Sequence, residues 1–303
     1  MLTRHTYHDL QWIDLEQPTH EEVRALMEEF DIHPIVADEL LSRSLRPKID
    51  HYENFIYCIL HFPAFRHTHE ETVQEVDFVI GKKFLITVHY EALDPLHKFS
   101  KVFEVNSILN RANMGDHAGF LFFYMVRKIY ASLRHELAII ADELKDVEDR
   151  IFLGEEREML ESLSRLNRDL LSFRRALSLH APVLQSLHIA STEFFGKNFG
   201  HYIDNIIGEY HKVEEELTGE KEVLEDLRST NNSLLTTKTN DVIKALTLLN
   251  AIILPASFVT WIFAVDAKDM PIRGMNGDFW VMSGIMVATS LAALLFLRMK
   301  KWL

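Results

Sequence analysis

Oxygen-bearing side chains lie in and beside two apolar segments near the C-terminus, and these are the residues best suited to bind a metal ion. Asn250 lies inside the first apolar segment, and Asp266 follows the last residue of that segment. Asn276 lies further along, as the third residue of Gly274-Met275-Asn276. Amide and carboxylate oxygens are the ligands that hard divalent cations prefer. All three of these side chains carry oxygens of this kind.

The two apolar segments are long enough to cross a membrane. Residues 242–265 contain one charged side chain, Lys244, and residues 279–297 contain none. About 20 apolar residues cross the hydrocarbon core of a bilayer as a helix. We therefore predict two transmembrane helices, with a pair of buried core helices as the alternative. Residues 266–278 predict a short extracytoplasmic loop, and residues 298–303 form a basic tail.

Basic residues flank these segments unevenly. Arg298, Lys300 and Lys301 follow the second segment, and Lys238 precedes the first. Positively charged residues favour the cytoplasmic side of a membrane. We therefore predict a multi-pass protein of an inner or plasma membrane, in contact with lipid, with both termini in the cytoplasm. The lone cysteine, Cys58, is consistent with a reducing compartment.

The composition and the motifs exclude several classes of function. The formal net charge of -13 argues against a nucleic-acid partner, because phosphates require clustered Lys and Arg. The sequence contains no nucleophile elbow, no phosphate-cradling glycine loop and no close-spaced quartet of metal ligands. We therefore expect neither an enzyme nor a bound cofactor. His67 and His69 would share one face of a strand and suggest zinc binding, but a turn with exposed histidines is the favoured interpretation.

Residues 1–115 combine strand and helix signals and predict an α/β cytosolic domain. Thr19 and Glu22 form a capping-box pattern that predicts the start of a helix. The glycine and lysines at 81–83 separate two strand-like runs, 75–80 and 84–89, and predict a hairpin.

The strand signals stop near residue 115, and the rest of the cytosolic part is helical. Residues 116–204 predict a helical hairpin region, with helices at about 119–153 and 156–188. Residues 205–265 predict a long stalk helix that continues into the first transmembrane helix, since no proline occurs between 203 and Pro255. Such a helix would extend about 90 Å. It requires partners along its length, from its own chain or from symmetry mates.

One side of the first apolar segment carries a stripe of residues that could line a pore. An Asn inside a membrane is stable when it lines a wet cavity or hydrogen-bonds another helix, and both options are open for Asn250. Leu246 (or Thr247) and Leu254 would form apolar constrictions, or simply pack. Trp261 would occlude a narrow pore, so either the helix is rotated there or the ring closes the path. The steps of three and four give the candidate pore-lining set Asn240, Ile243, Leu246, Asn250, Leu254 and Ser257.

Three stretches of the sequence resemble the CorA-type divalent metal ion (magnesium/cobalt) transporter family. They are HPIVADELL with RPKI (33–41 and 46–49), GKKFLITVH (81–89), and the first apolar segment from NDVIK (240–244) to Pro255 with the terminal KKWL. The resemblance implies a funnel-shaped homopentameric channel, with a central pore lined by the first transmembrane helix. It also implies divalent cations as transported and regulatory ligands.

The sequence departs from this family at the expected selectivity filter. The family carries Gly-Met-Asn at the outer end of the first transmembrane helix, where this chain has Ala264-Val265-Asp266. Either the loop returns Gly274, Met275 and Asn276 to the pore mouth, or Asp266 forms the ring. The resemblance thus makes Asn276 and Asp266 the candidate metal ligands. A Met-Pro pair at 270–271 lies at the family's distance from Asp266 and favours the second alternative. An aspartate ring would extend selectivity to Zn²⁺, Co²⁺ or Ni²⁺.

Three functions follow from these observations. The first is a channel or transporter that moves divalent cations such as Mg²⁺, Co²⁺, Ni²⁺ or Zn²⁺ through the central pore. The second is a zinc-type relative that couples transport to protons. The third is a non-conducting, membrane-anchored metal sensor or scaffold that has lost the filter.

Overall fold

The structure of the chain is a computed structural model that describes residues 1–63, 73–91, 116–265 and 277–299, together with Leu96 and Lys101. The chain divides into two units, Met1–Arg228 and Ser229–Leu303. The first unit contains a sheet and several helices, and the second consists of helices.

Six strands form one mixed sheet in the first unit. Their order is β1-β2-β6-β5-β4-β3, and all neighbours are antiparallel except the parallel pair β2 and β6. The predicted hairpin is confirmed, because β5 and β6 pair with Val79 opposite Ile86. The strands are β1 (Leu2–Tyr7), β2 (Leu10–Glu16), β3 (Lys48–His51), β4 (Phe55–Pro63), β5 (Val73–Gly81) and β6 (Phe84–His89).

Both faces of the central strands are covered, which explains why β4 is a nearly continuous apolar run and why β5 is buried along nearly its whole length. One face packs against α1 (His20–Phe30) and α2 (Pro34–Glu39) through a shared core that includes Leu26 and Val36. Thr19 caps α1 in the predicted capping box with Glu22. On the other face, the ring of Phe78 lies 5.1 Å from that of Phe122, in α3 (Gly119–Phe152).

Two separate helices follow α3, and local backbone interactions explain where the first ends and the second begins. The structure has α4 (Met159–Leu177) and α5 (His180–Phe195), so the prediction of one helix over 156–188 is wrong. Pro182 lies in the first turn of α5, a position where its missing N–H has no helical partner to lose. The hydroxyl of Ser178 donates to the carbonyl of Arg175 and closes the end of α4.

The predicted uninterrupted long helix is confirmed. It is α6 (Gly200–Ala264), which contains Pro255 and is preceded by a 3₁₀ turn at Lys197–Phe199. Within the first unit its buried side chains recur at steps of three, four or seven residues, which places them on one side of the helix. Arg134 of α3 forms an ion pair with Glu216 at 2.6 Å. The chain itself therefore supplies partners to this part of the helix. The buried side chains are Ile203, Ile206, Tyr210, Val213, Leu217, Leu224 and Leu227.

A buried pair of carboxyl groups, those of Glu75 and Asp77, lies on β5. Asp77 is fully buried and accepts a hydrogen bond from the Tyr57 hydroxyl at 2.9 Å. Glu75 accepts from the Ser44 backbone N–H at 2.8 Å and lies 3.2 Å from His61 Nε2. Among the described residues, no group donates a hydrogen bond to Asp77 Oδ1. A hydrogen bond between the carboxyl groups of Asp77 and Glu75 forms only when one of the two holds a proton. Burial, with the Glu75 charge beside it, raises the pKa of Asp77 well above its usual value.

Replacing Asp77 by asparagine is expected to stabilise the chain at alkaline pH. A free Asp ionises near pH 3.9, whereas folded Asp77 keeps its proton to a higher pH because its pKa is raised. The free energy of unfolding of the parent therefore falls as pH rises above that value, until the pH passes the raised pKa. Asn keeps the acceptor for Tyr57 and cannot ionise. We expect Asp77→Asn to raise the free energy of unfolding by about 1–3 kcal/mol at pH 8, and by little near pH 4.

Urea unfolding of the full chain in detergent micelles at both pH values measures this effect. The exposed Asp9→Asn variant is the control, since its contact with Lys83 is a surface pair at 3.8 Å. An Asp77→Asn variant that is less stable than the parent at pH 8 would contradict the assignment of a buried, protonated carboxyl group.

Candidate functional site

Two helices of the chain are long and apolar enough to cross a membrane. The helical segment Lys197–Ile262 contains an 18-residue window with a mean hydropathy of 1.9, of which 6% is buried. Phe279–Met299 contains a window with a mean hydropathy of 2.0, of which none is buried. The second helix is α7 (Asp278–Met299). Because these apolar side chains are exposed in a single chain, they require lipid or further copies to cover them.

Within the second unit, α7 packs along one side of α6. The hydroxyl of Ser290 donates to the carbonyl of Ile252 at 3.3 Å. The hydroxyl of Thr260 lies 3.6 Å from the sulfur of Met286. Val259 is 8% exposed, whereas most of its neighbours on α6 are much more exposed. These contacts identify the side of α6 that its own chain covers.

The predicted pore-lining residues lie on the side of α6 that α7 leaves uncovered. At 3.6 residues per turn, Asn250 and Val259 are two and a half turns apart and point in opposite directions. Leu246 and Leu254 flank Asn250 and are 57% and 66% exposed. We call this set the α6 stripe; its members are Asn240, Ile243, Leu246, Asn250, Leu254 and Ser257, of which only Ser257 is half-buried and the others are exposed.

Asn250 is the polar centre of the α6 stripe. Its amide makes no hydrogen bond to any residue that the structure describes. The hydroxyl of Thr247, by contrast, donates to the carbonyl of Ile243 at 2.8 Å and is satisfied within the helix. An amide in a membrane segment needs water, an ion or another copy of the chain as its partner. Such an arrangement is suited to contact the water shell of a cation.

The residues of the candidate filter lie outside the described residues. The description of the chain stops at Val265 and resumes at Gly277. Asp266, Gly274, Met275 and Asn276 fall in this interval, so the choice between Asp266 and Asn276 stays a prediction. His67 and His69 also lie outside the described residues.

The described residues of the first unit (Met1–Arg228), which we call the soluble unit, form no ready metal centre. Across residues 1–63, 73–91 and 116–228, no three His, Cys, Asp or Glu side chains are grouped so that they could hold a metal ion. His61 is paired with Glu75, and His89 Nε2 lies 3.3 Å from Asp14. A regulatory metal bound by these residues would need further ligands, from outside the described residues or from a second copy.

The packing of α7 was not predicted. Ser290 and Thr289 of α7 both use their hydroxyls on backbone carbonyls, those of Ile252 and Ile285. Hydroxyl residues within an apolar helix are the sequence signal that could have located this contact, since they often bond across or along membrane helices.

Comparisons with known proteins agree with this arrangement along nearly the whole chain. Residues 7–301 match the family described as CorA-like Mg2+ transporter protein. The cobalt/magnesium transport protein CorA of Thermotoga maritima is 22% identical over 282 residues, which cover 93% of this chain and 80% of that protein. The protein of the same name from Methanocaldococcus jannaschii is 23% identical over 295 residues, covering 96% and 91%.

Solved structures show the same fold. The complete structure of the CorA magnesium transporter from M. jannaschii matches with a TM-score of 0.84 and 22% identity, over 97% of this chain and 92% of that chain. The full-length CmaX protein matches with a TM-score of 0.75 and 17% identity, over 97% and 89%. The match to the family spans both units, the long helix and both apolar helices. The chain therefore belongs to the family of CorA-like Mg²⁺ transporter proteins.

Proposed function

We propose that the chain forms a homopentamer that conducts divalent cations across an inner or plasma membrane, along a central path lined by the α6 stripe. Membership of the family supports the transport of divalent cations. The observation that carries the path is the amide of Asn250, which has no hydrogen-bond partner among the described residues and lies on the side of α6 opposite to α7. The proposal assigns no catalysis and no cofactor to the chain.

The direction of packing supports α6, rather than α7, as the inner helix. The hydroxyls of Thr289 and Ser290 on α7 are satisfied by backbone carbonyls, whereas α6 presents an amide and a hydroxyl, those of Asn250 and Ser257, on its uncovered side. In a ring of copies, α7 would face the lipid with its apolar surface and α6 would face the axis.

The chemistry of such a path suits hydrated cations. Mg²⁺ loses its waters reluctantly, so neutral amide oxygens that touch the hydration shell bind it without stripping it. Exposed Leu246 and Leu254 on either side of Asn250 would narrow the path with apolar side chains. Such apolar rings gate by excluding water. The basic residues at the end of α7 and just after it, together with Lys238 before the first apolar segment and Lys244 near its start, support a cytoplasmic position for both termini.

Divalent uptake into proteoliposomes loaded with a fluorescent indicator tests the proposal. Mg²⁺, Zn²⁺, Co²⁺ and Ni²⁺ are assayed separately, with chains verified as pentamers. Uptake of at least one of these ions is expected, driven by its gradient. No uptake of any ion by intact pentamers would contradict the proposal and favour a non-conducting sensor or scaffold.

Asp266→Ala is expected to alter the selectivity of that uptake, and Asn276→Ala is not. A ring of carboxylates attracts divalent cations strongly and discriminates little among them. We expect Asp266→Ala to change the ratio of Mg²⁺ to Zn²⁺ uptake by about threefold or more. The two variants serve as controls for each other in the same assay. A change of ratio only with Asn276→Ala would instead assign the filter to the displaced tripeptide.

A further inference from the structure

Trp261 lies on the same side of α6 as the α6 stripe. It is 74% exposed in the last turn of the helix. It follows Leu254 by seven residues and Asn250 by eleven, close to two and three whole turns. It follows Ile252, which contacts α7, by nine residues, or two and a half turns. The helix is thus not rotated away at this point, and the indole continues the α6 stripe toward the loop.

An exposed tryptophan near the end of an apolar helix is commonly an anchor at the membrane interface. Trp280, near the start of α7, fits that role: it is 77% exposed and contacts Phe279 edge-to-face at 5.6 Å. Trp261 differs in direction. In a ring with α6 on the inside, an anchor on α6 would reach the lipid interface from the side that α7 covers, where Val259 is buried. Trp261 lies on the opposite side of α6.

We propose that Trp261 forms an aromatic collar, one indole from each copy, which limits the flux and selects cations at the loop end of the path. The inference rests on the proposed function, because the collar is incomplete without the other copies. Indoles are wide and apolar, so a ring of them narrows the opening. Their faces carry a negative quadrupole that attracts a cation within about 6 Å. The collar therefore restricts passage sterically and still favours positive charge.

The uptake assay with Trp261→Ala and Trp261→Phe tests the collar. Removal of the indoles widens the path, so Trp261→Ala is expected to raise divalent uptake about fivefold or more, with a smaller rise for Trp261→Phe. Trp280→Ala is the matched control and is expected to leave uptake unchanged. If the parent conducts and Trp261→Ala conducts at the same rate, the collar is refuted while the proposed function stands. A silent parent with a conducting Trp261→Ala variant would support a closed collar.

A second measurement does not depend on flux. Aqueous Co²⁺ quenches the emission of a tryptophan that it can approach, and one surrounded by detergent or lipid is shielded. Quenching is followed in the full chain in detergent micelles, comparing the parent with Trp261→Phe and Trp280→Phe. We expect the quenched fraction to fall with Trp261→Phe and not with Trp280→Phe. A quenched fraction unchanged by Trp261→Phe would overturn the collar, whatever the uptake assay gives.

Discussion

Replacing Asn250 by leucine is expected to reduce divalent uptake at least about tenfold, which corresponds to a barrier higher by about 1.4 kcal/mol. In a pentamer the substitution removes five amides from the centre of the α6 stripe. It joins the apolar side chains of Leu246 and Leu254 into one continuous apolar surface. Such a stretch loses its water, and a hydrated cation then has no oxygen ligand along it. Leucine favours membrane insertion more than asparagine does, so a loss of uptake would not reflect a failure to insert.

Two further variants define what the Asn250 result means. Asn250→Gln keeps an amide at the same position and is expected to conduct at close to the parental rate. Thr289→Val removes a hydroxyl that bonds only its own helix, at Ile285 and Met286, and is expected to have no effect. Parental uptake by Asn250→Leu would mean that the α6 stripe is not the conduction path, even if the chain transports cations.

The elements that could be predicted from the sequence are those with a strong local signal. The capping box at Thr19 and the glycine and lysines at 81–83 specify a helix start and a hairpin through a few neighbouring residues. β1 and β3 were not predicted. They are the two edge strands of the sheet, and because both are short and rich in polar residues they lack the apolar run that marks the inner strands. Their pairing with β2 and β4 is what makes them strands.

The long helix shows how far helix boundaries can be predicted from the positions of proline alone. The absence of proline up to Pro255 predicted α6 well, and Pro255 itself lies inside the helix. The prediction of one helix over residues 156–188 was wrong because it ran through Pro182, which lies in the first turn of α5. A membrane helix tolerates proline because its neighbours satisfy the freed carbonyl. In the soluble unit the proline marks a helix start instead.

Helical spacing placed the members of the α6 stripe on one side but could not say what that side faces. A stripe with one Asn and several Leu and Ile residues can contact lipid, another helix or a pore with the same periodicity. The contact of Ser290 with Ile252, which no local pattern specifies, shows that the stripe does not face α7 of its own chain. The same contact settled the direction of Trp261, which the sequence had left open between rotation and closure.

The role of His180 could not be predicted from any local pattern. It begins α5 and is fully buried, with hydrogen-bond partners on two other elements. Its Nε2 lies 2.7 Å from the backbone carbonyl of His61 on β4, and its Nδ1 lies 2.7 Å from the Tyr130 hydroxyl on α3. A carbonyl only accepts, so Nε2 carries the proton and Nδ1 accepts from Tyr130. The neutral ring therefore joins the sheet to two helices, edge-on to Phe62 at 5.2 Å.

Acid is expected to destabilise the soluble unit through His180. Burial lowers the pKa of His180 from its usual 6.5 to about 4. Between these two values the unfolded chain binds a proton at this position and the folded chain does not. The free energy of unfolding therefore falls as the pH decreases from about 6.5 to about 4. At about 1.4 kcal/mol per pH unit, the loss from this one residue approaches about 3 kcal/mol.

His180→Gln separates this effect from the titration of other groups. Glutamine cannot be protonated, and its amide can replace at most part of the two hydrogen bonds, so we expect the variant to be less stable than the parent by about 1–2 kcal/mol at pH 7. This deficit should shrink as pH falls, and the two stability curves should meet near about pH 5. Urea unfolding of the full chain in micelles from pH 7 to pH 4 measures both curves, with the exposed Ser186→Ala on the same helix as control. Curves that stay parallel over this range would show that His180 is protonated as readily in the folded chain as in the unfolded one, contrary to its burial between Tyr130 and β4.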